Sequence, residues 1–176
     1  RETVRRVLSL NDKEPGTITL LATELGPGDV FLDVGASVGV YTIPAAQRVG
    51  SNGAVVAVEP RDVGDVIEQH ARLNGFESRL QRIPCPAASS GQYSIDAMIE
   101  EGQIRAPSVV KIDVDGPELD VVYGMSRHLR SEHRPRVLSI ELNDSQLVLE
   151  MQQLGYRLRE VSLSRTGLER RRHGAE

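Results

Sequence analysis

The chain has 176 residues, of which 39% are hydrophobic and 26% charged, and its formal net charge is -4. These values suit one folded domain and exclude a disordered chain, a coiled coil and a large multidomain enzyme. We therefore interpret residues 1–176 as a single domain with its core at about 15–160. The chain carries neither the positive charge nor the aromatic residues that nucleic-acid binding needs, so nucleic acid is not an expected partner.

The single cysteine, Cys85, cannot form an internal disulfide, and no Cys/His metal cluster is available. This composition fits a reducing, cytoplasmic setting. The sequence shows no apolar run of about 20 residues and no basic-then-apolar leader, so neither a membrane span nor a signal peptide is expected. A small molecule is the expected partner, and assembly into a homo-oligomer is left open.

Short apolar runs alternate with helical patterns along the chain. The predicted strands are 29–35, 54–59, 108–114 and 136–142, and the predicted helices are 40–49, 63–73, 117–129 and 146–154. Continuous apolar strands that alternate with helices predict a mostly parallel sheet covered by helices on both faces. Two further short strands, at about 156–161 and 168–172, would complete the sheet. The stretch 84–102 lacks periodicity and is interpreted as loop, and the histidines, none of which follows a strand, are interpreted as solvated surface.

The loop after the first strand contains Asp33-Val-Gly-Ala-Ser-Val-Gly39. Gly35 and Gly39 allow a tight turn and a close approach of the backbone to a ligand at the carboxyl end of the strand. A dinucleotide fingerprint requires glycine where Ser37 stands, and the nearby carboxylate of Asp33 would repel a pyrophosphate. The loop therefore suits a ligand that has an ammonium group and no phosphate, which opposes a nicotinamide dehydrogenase.

Glu59 ends the second strand and can accept hydrogen bonds from both hydroxyls of a ribose. Asp33 can bind an amino-acid ammonium directly or through water. Asp33 at a strand end, the spaced glycines of the following loop and Glu59 after the next strand lie in a strand, loop and helix context. Together they predict S-adenosylmethionine as the cofactor.

Several segments of the sequence resemble the FkbM-type methyltransferases, which are class I enzymes dependent on S-adenosylmethionine. The resemblance covers about residues 15–155 and rests on Phe31 to Thr42, Val56 to Pro60, Ser94 to Asp96, Val110 to Leu119 and Leu138 to Leu142. It implies a Rossmann-like sheet of seven strands with a reversed last strand, and O-methylation of a hydroxyl on a sugar or natural product. The cofactor-binding residues that it implies are Asp33, Gly35 and Gly39 for the amino-acid end and Glu59 for the ribose. We also predict cofactor contacts from Ala36, Ser37, Thr42, Pro60 and Asp96, with packing left open as the alternative role of Thr42.

A second group of acids follows the strand 108–114. Alternation along a strand places Lys111, Asp113 and Asp115 on one face, and we expect Lys111 to pair with a neighbouring acid. Asp113 is the candidate catalytic residue, as a base that accepts the proton of the acceptor hydroxyl. With Glu141, Asn143 or Asp144 after the next strand, Asp113 could instead form an oxygen-ligand site for Mg²⁺, so metal dependence is left open. Glu118 is expected to cap a helix N-terminus.

Three alternatives remain open from the sequence. The acceptor could be a nitrogen rather than an oxygen, although no Asn-Pro-Pro-Tyr-like motif is present. The chain could bind the cofactor without turnover and act as an interaction module. An enclosed acceptor pocket beside Asp113 would speak against such a module. The third alternative is a nicotinamide dehydrogenase, and binding of NAD in place of S-adenosylmethionine would exclude the methyltransferase interpretation.

Overall fold

The computed structural model of the protein describes residues 15–141 and 144–159. Helix α1 (Pro15–Glu24) is part of one compact unit, and Leu25–Leu158 form the other. The number of domains, expected to be one, stays a prediction. No helix in the described part of the chain combines the length and apolar character that crossing a membrane requires.

One parallel sheet organises the unit Leu25–Leu158. Its strands are β1 (Val30–Val34), β2 (Ala54–Val58), β3 (Leu80–Ile83), β4 (Val109–Ile112) and β5 (Val137–Ile140). They lie in the order β3-β2-β1-β4-β5, and every neighbouring pair is parallel. The predicted α/β architecture is confirmed. Because the strands are parallel, their carboxyl ends share one edge, and the winding direction of the sheet reverses between β1 and β4.

Helices cover both faces of the sheet. They are α2 (Thr42–Arg48), α3 (Asp65–Leu73), α4 (Ile95–Glu100), α5 (Glu118–Gly124), α6 (Ser126–Arg130) and α7 (Ser145–Gln153), with short 3₁₀ turns at Asp62–Gly64 and Glu77–Arg79. Leu32, Val56 and Ile112 point to the face where α4 to α7 build the main core. Side chains alternate along a strand, so Ala57 points to the opposite face, where it packs with Ile67 of α3.

The described residues contain five strands, whereas seven were predicted. Residues 156–159 form no strand, and the remaining positions of the two predicted last strands, including the reversed one, lie outside the described residues. β3 was not predicted, because its half-buried Leu-Gln-Arg-Ile sequence at the sheet edge gives a weak apolar signal. The stretch interpreted as loop contains α4.

The helix predicted at 117–129 is two helices, α5 and α6, which meet at Met125. The carboxylate of Asp96 accepts the backbone N–H groups of Arg127 and His128, both at 2.8 Å, and so supports a new helix start. His128 was expected at the solvated surface but is buried, and its ring Nε2 lies 3.0 Å from the carbonyl oxygen of Pro107.

Asp29 joins the amino ends of three neighbouring strands. It precedes β1 and accepts a hydrogen bond from the hydroxyl of Ser108, before β4, at 2.8 Å. The guanidinium of Arg136, before β5, donates to both carboxylate oxygens at 2.8 and 2.6 Å. These hydrogen bonds, that of Arg136 foremost, hold the pKa of Asp29 at about 2 although partial burial opposes them.

Candidate functional site

The predicted site residues lie at the carboxyl edge of the sheet. Gly35 follows β1, Glu59 follows β2, Asp113 follows β4 and Glu141 follows β5. The crevice between the ends of β1 and β4 is the switch point, where open α/β sheets bind their ligands. The sheet therefore brings the cofactor loop and the candidate base to the same place.

Gly35 is required where the chain leaves β1. Its φ is +79°, and a Cβ at this position would lie 1.8 Å from the carbonyl oxygen of Asp113. Neither the left-handed backbone nor the contact with the end of β4 admits a side chain. The loop after β1 is therefore fixed against Asp113.

Ser37 connects this loop to Glu59. Ser37 is not a glycine yet has a φ of 51°, a left-handed conformation that costs energy for a residue with a Cβ. Its backbone N–H donates to Oε2 of Glu59 at 2.8 Å. The carboxylate that was predicted to bind the ribose is thus held by the loop that was predicted to bind the amino-acid end.

Arg61 covers the same carboxylate. Its backbone N–H and its Nε donate to Oε1 of Glu59 at 3.0 and 2.8 Å, and its Nη2 donates to Oε2 at 3.1 Å. Burial by itself raises the pKa of Glu59, but the hydrogen bonds from Arg61 and Ser37 and the charge of Arg61 outweigh it, so the pKa is lowered. Glu59 is a buried carboxylate stabilised in its charged form.

Asp33 is completely buried at the end of β1. Its Oδ2 accepts a hydrogen bond of 2.6 Å from the hydroxyl of Thr42 at the start of α2. Its Oδ1 has no hydrogen-bond partner in the described part of the chain and lies 3.6 Å from Nζ of Lys111. The role of Asp33 and Thr42 in binding the cofactor stays a prediction.

Lys111 lies beside Asp33 in the sheet, because the two residues are register partners of β1 and β4. Its ammonium is 3.2 Å from Oδ2 of Asp113, and it lies 5.0 Å from the centroid of the Tyr41 ring. The expected pairing of Lys111 with an acid is confirmed: among the described residues, both Asp33 and Asp113 lie within ion-pair distance of its ammonium.

The loop after β4 has a constrained shape. Asp115 has a φ of 59°, and the buried carboxylate of Glu118 accepts the backbone N–H groups of Val114 and Gly116 at 3.2 and 3.1 Å. Glu118 was expected to cap its own helix, but its hydrogen bonds go to the preceding loop. It therefore fixes the segment that carries Asp113 and Asp115.

Carboxylate oxygens of Asp113, Asp115 and Glu141 all lie within 4.8 Å of one another. Two of the predicted metal ligands, Asp113 and Glu141, thus lie together, while Asn143 lies outside the described residues. An oxygen donor set of this kind is chemically suited to Mg²⁺. Two of the three acids are exposed, and exposed acids also cluster without a metal, so Mg²⁺ stays a prediction.

The remaining predicted cofactor residues differ in their surroundings. Ala36 and Gly39 are buried in the loop after β1, and Pro60 is exposed next to Glu59. The carboxylate of Asp96 is engaged with the first backbone amides of α6. Their roles in binding the cofactor stay predictions.

Sequence reasoning missed Arg61 at this edge and gave Asp115 no role as a metal ligand. Arg61 forms an ion pair with Glu59. Its position two residues after the carboxylate that was predicted to bind the ribose was the signal for it. Asp115 joins the acidic cluster, and its position in the alternating pattern with Asp113 was the signal for that.

Residues 89–158 match the family model described as a methyltransferase FkbM domain. The resemblance to FkbM-type methyltransferases is therefore confirmed. This part of the chain carries Asp113 and Glu141. The hexuronic acid methyltransferase AglP of Haloferax volcanii is 28% identical, with 67% of this chain and 59% of that protein covered. The chain thus spans about three-fifths of the length of this relative.

Two solved structures share the fold. A SAM-dependent methyltransferase from Aquifex aeolicus is 15% identical with a TM-score of 0.57, and the alignment covers 86% of this chain and 85% of that one. Aeropyrum pernix fibrillarin, solved with natively bound S-adenosyl-L-methionine, is 16% identical with a TM-score of 0.60, over 86% of this chain and 68% of that one. At these identities the similarity establishes the Rossmann-like fold.

Proposed function

We propose that this chain, which resembles the FkbM-type methyltransferases, uses S-adenosylmethionine to methylate a hydroxyl group of a sugar. The observation that carries the proposal is the meeting of three features at one sheet edge: the glycine loop after β1, the buried carboxylate of Glu59 and the half-buried carboxylate of Asp113. A hexuronic acid, which the name of the Haloferax volcanii relative mentions, is the first acceptor class to test.

The residues present fit the cofactor. Glu59 offers a charged carboxylate at the end of β2, where two hydroxyls of a ribose can donate to its two oxygens. Arg61 donates to both oxygens, but its side chain is 60% exposed and can move aside into solvent. The contact of Gly35 with Asp113 leaves backbone rather than side chain facing the crevice.

Bound S-adenosylmethionine would supply an electrophilic methyl group, whose bond to sulfur breaks as the bond to the acceptor oxygen forms. The chain has to align the acceptor and accept its hydroxyl proton. Asp113 follows β4 at the switch point, and its side chain is 34% exposed, so it can contact a substrate. We assign the proton to Asp113.

Two alternatives are separable by experiment. A nitrogen acceptor would leave the cofactor site unchanged and alter only the methylated product. A cofactor-binding interaction module would bind S-adenosylmethionine and transfer no methyl group to any acceptor. A cytoplasmic location and the absence of nucleic-acid partners remain predictions from composition.

Calorimetric titration with S-adenosylmethionine and S-adenosylhomocysteine tests the cofactor. We expect both to bind, and we expect Glu59→Ala to weaken binding about tenfold or more, since a charged hydrogen-bond acceptor is lost. Glu68→Ala, which removes an exposed carboxylate from α3, is the matched control and should bind normally. Absence of binding by the unaltered protein would overturn the proposal. Transfer of labelled methyl groups to glucuronic acid oligosaccharides then tests the acceptor class.

A further inference from the structure

Lys111 is a buried ammonium at the centre of the candidate site. The residue is 3% exposed and projects from β4 on the same face as Asp33 of β1 and as Asp113. A buried cation is costly unless opposite charges compensate it, and here two carboxylates do so.

The two carboxylates differ in their freedom to move. Asp33 is completely buried, accepts the hydroxyl of Thr42 at 2.6 Å and lies 3.6 Å from Nζ of Lys111. Asp113 is closer to Nζ, at 3.2 Å, and its side chain is 34% exposed. Lys111 is therefore anchored by the completely buried Asp33, while its shorter distance to a carboxylate is the one to the partly exposed Asp113.

We propose that Lys111 is a positioning residue of this site: its ammonium holds the carboxylate of Asp113 at the switch point and compensates one of the two negative charges beside the bound cofactor. Asp33 contributes by anchoring Lys111, and the Tyr41 ring, 5.0 Å from Nζ, supports the ammonium from one side. This role rests on the proposed function, because it concerns the methyl-transfer site of that enzyme.

The affinity ratio of two ligands measures the charge effect of Lys111. S-adenosylmethionine carries a positive sulfonium, whereas S-adenosylhomocysteine carries a neutral thioether in the same place. Removing the ammonium in Lys111→Met should favour the cationic ligand, so that the ratio of the two affinities changes by about threefold or more. Lys111→Arg keeps the charge and should restore the ratio. A purely structural loss would weaken both ligands alike and leave the ratio unchanged.

The chain offers a direct spectroscopic test of the contact with Asp113. Lys13 and Lys111 are its two lysines, and Lys13 lies outside the described residues. In a Lys13→Arg protein labelled with ¹³C-lysine, the side-chain resonances belong to Lys111. We expect them to be displaced from free-lysine values by the Tyr41 ring, to move in Asp113→Asn and to move when S-adenosylmethionine is added.

Each outcome decides one question. The positioning role would be overturned if the Lys111 resonances coincided with those of free lysine or did not move in Asp113→Asn. An unchanged ratio of the two ligand affinities in Lys111→Met would overturn it as well. If Lys111→Met fails to fold, the spectroscopic test, which retains Lys111, decides. Absence of binding of either ligand by the unaltered protein would overturn the proposed function and with it the role of Lys111 in that function.

Discussion

The backbone N–H of Ser37 donates to Oε2 of Glu59 at 2.8 Å, across 22 residues of sequence. This hydrogen bond joins the loop after β1 to the carboxylate after β2. The side chain of Arg61 completes the hydrogen bonding of that carboxylate. The two halves of the proposed cofactor site are therefore assembled as one unit in the described structure.

Replacement of Arg61 should tighten cofactor binding. The guanidinium donates to the same Glu59 oxygens that the ribose hydroxyls would use, so it must be displaced before binding. Because an exposed ion pair contributes little, we expect Arg61→Ala to raise the affinity for S-adenosylhomocysteine by about two- to fivefold in calorimetry. Arg72→Ala, an exposed arginine of α3, controls for net charge. Weaker binding by Arg61→Ala would show that Arg61 contacts the ligand.

Gly35→Ala should disrupt the site and the fold together. The new Cβ would lie 1.8 Å from the carbonyl oxygen of Asp113, at a φ of +79°. We expect a loss of about 3 kcal/mol or more in the free energy of unfolding, measured with urea, and loss of cofactor binding. Gly102→Ala is matched in backbone, with a φ of +68° and open space around its Cβ position, and should cost about 1 kcal/mol. Equal effects of both changes would contradict the close contact with Asp113.

Asp113→Asn should separate turnover from binding. The amide keeps the shape of the side chain but cannot accept the hydroxyl proton. Once an acceptor is identified, we expect the methyl-transfer rate to fall by about 10²- to 10⁴-fold while the affinity for S-adenosylhomocysteine changes little. Asp120→Asn, an exposed acid on α5, should leave the rate unchanged. A normal rate in Asp113→Asn would remove this residue from the mechanism.

Metal dependence can be tested at the acidic cluster. If Asp113, Asp115 and Glu141 hold Mg²⁺ during turnover, a chelator should abolish methyl transfer and added Mg²⁺ should restore it. Glu141→Gln should then raise the Mg²⁺ concentration needed for half-maximal rate. A methyl-transfer rate that is unchanged by the chelator would exclude the metal and leave proton removal to Asp113.

Stability should depend on Asp29 in acid. Its pKa is lowered from 3.8 to about 2, chiefly by the hydrogen bond from Arg136. Because the folded-state pKa is the lower one, the stabilisation is present above about pH 4 and is lost as the pH falls through about 2. We expect Asp29→Asn to be less stable by about 1 kcal/mol at pH 7 in urea titrations. The difference should shrink between about pH 4 and pH 2, whereas a difference that ignores pH would contradict the ion pair.

Much of this architecture could be predicted from the sequence. Apolar runs alternating with helical patterns determine a parallel sheet, and parallel strands place the residues after their ends at one edge. The sequence by itself therefore located Gly35, Glu59 and Asp113 together. Each of these predictions depends only on local periodicity and on a general rule of the fold.

The tertiary structure decided which side chains touch. Lys111 contacts Asp33 because β1 and β4 are neighbours in a particular register. Local periodicity in the sequence does not determine strand order or register. The division into α5 and α6 at Met125 depends on Asp96 of α4, whose carboxylate accepts the backbone N–H of Arg127 in α6, 31 residues later in the sequence. Side-chain contacts of this kind form only when elements distant in sequence pack together. The free energy that stabilises them comes from the burial and charges of both segments, and neither segment supplies it alone.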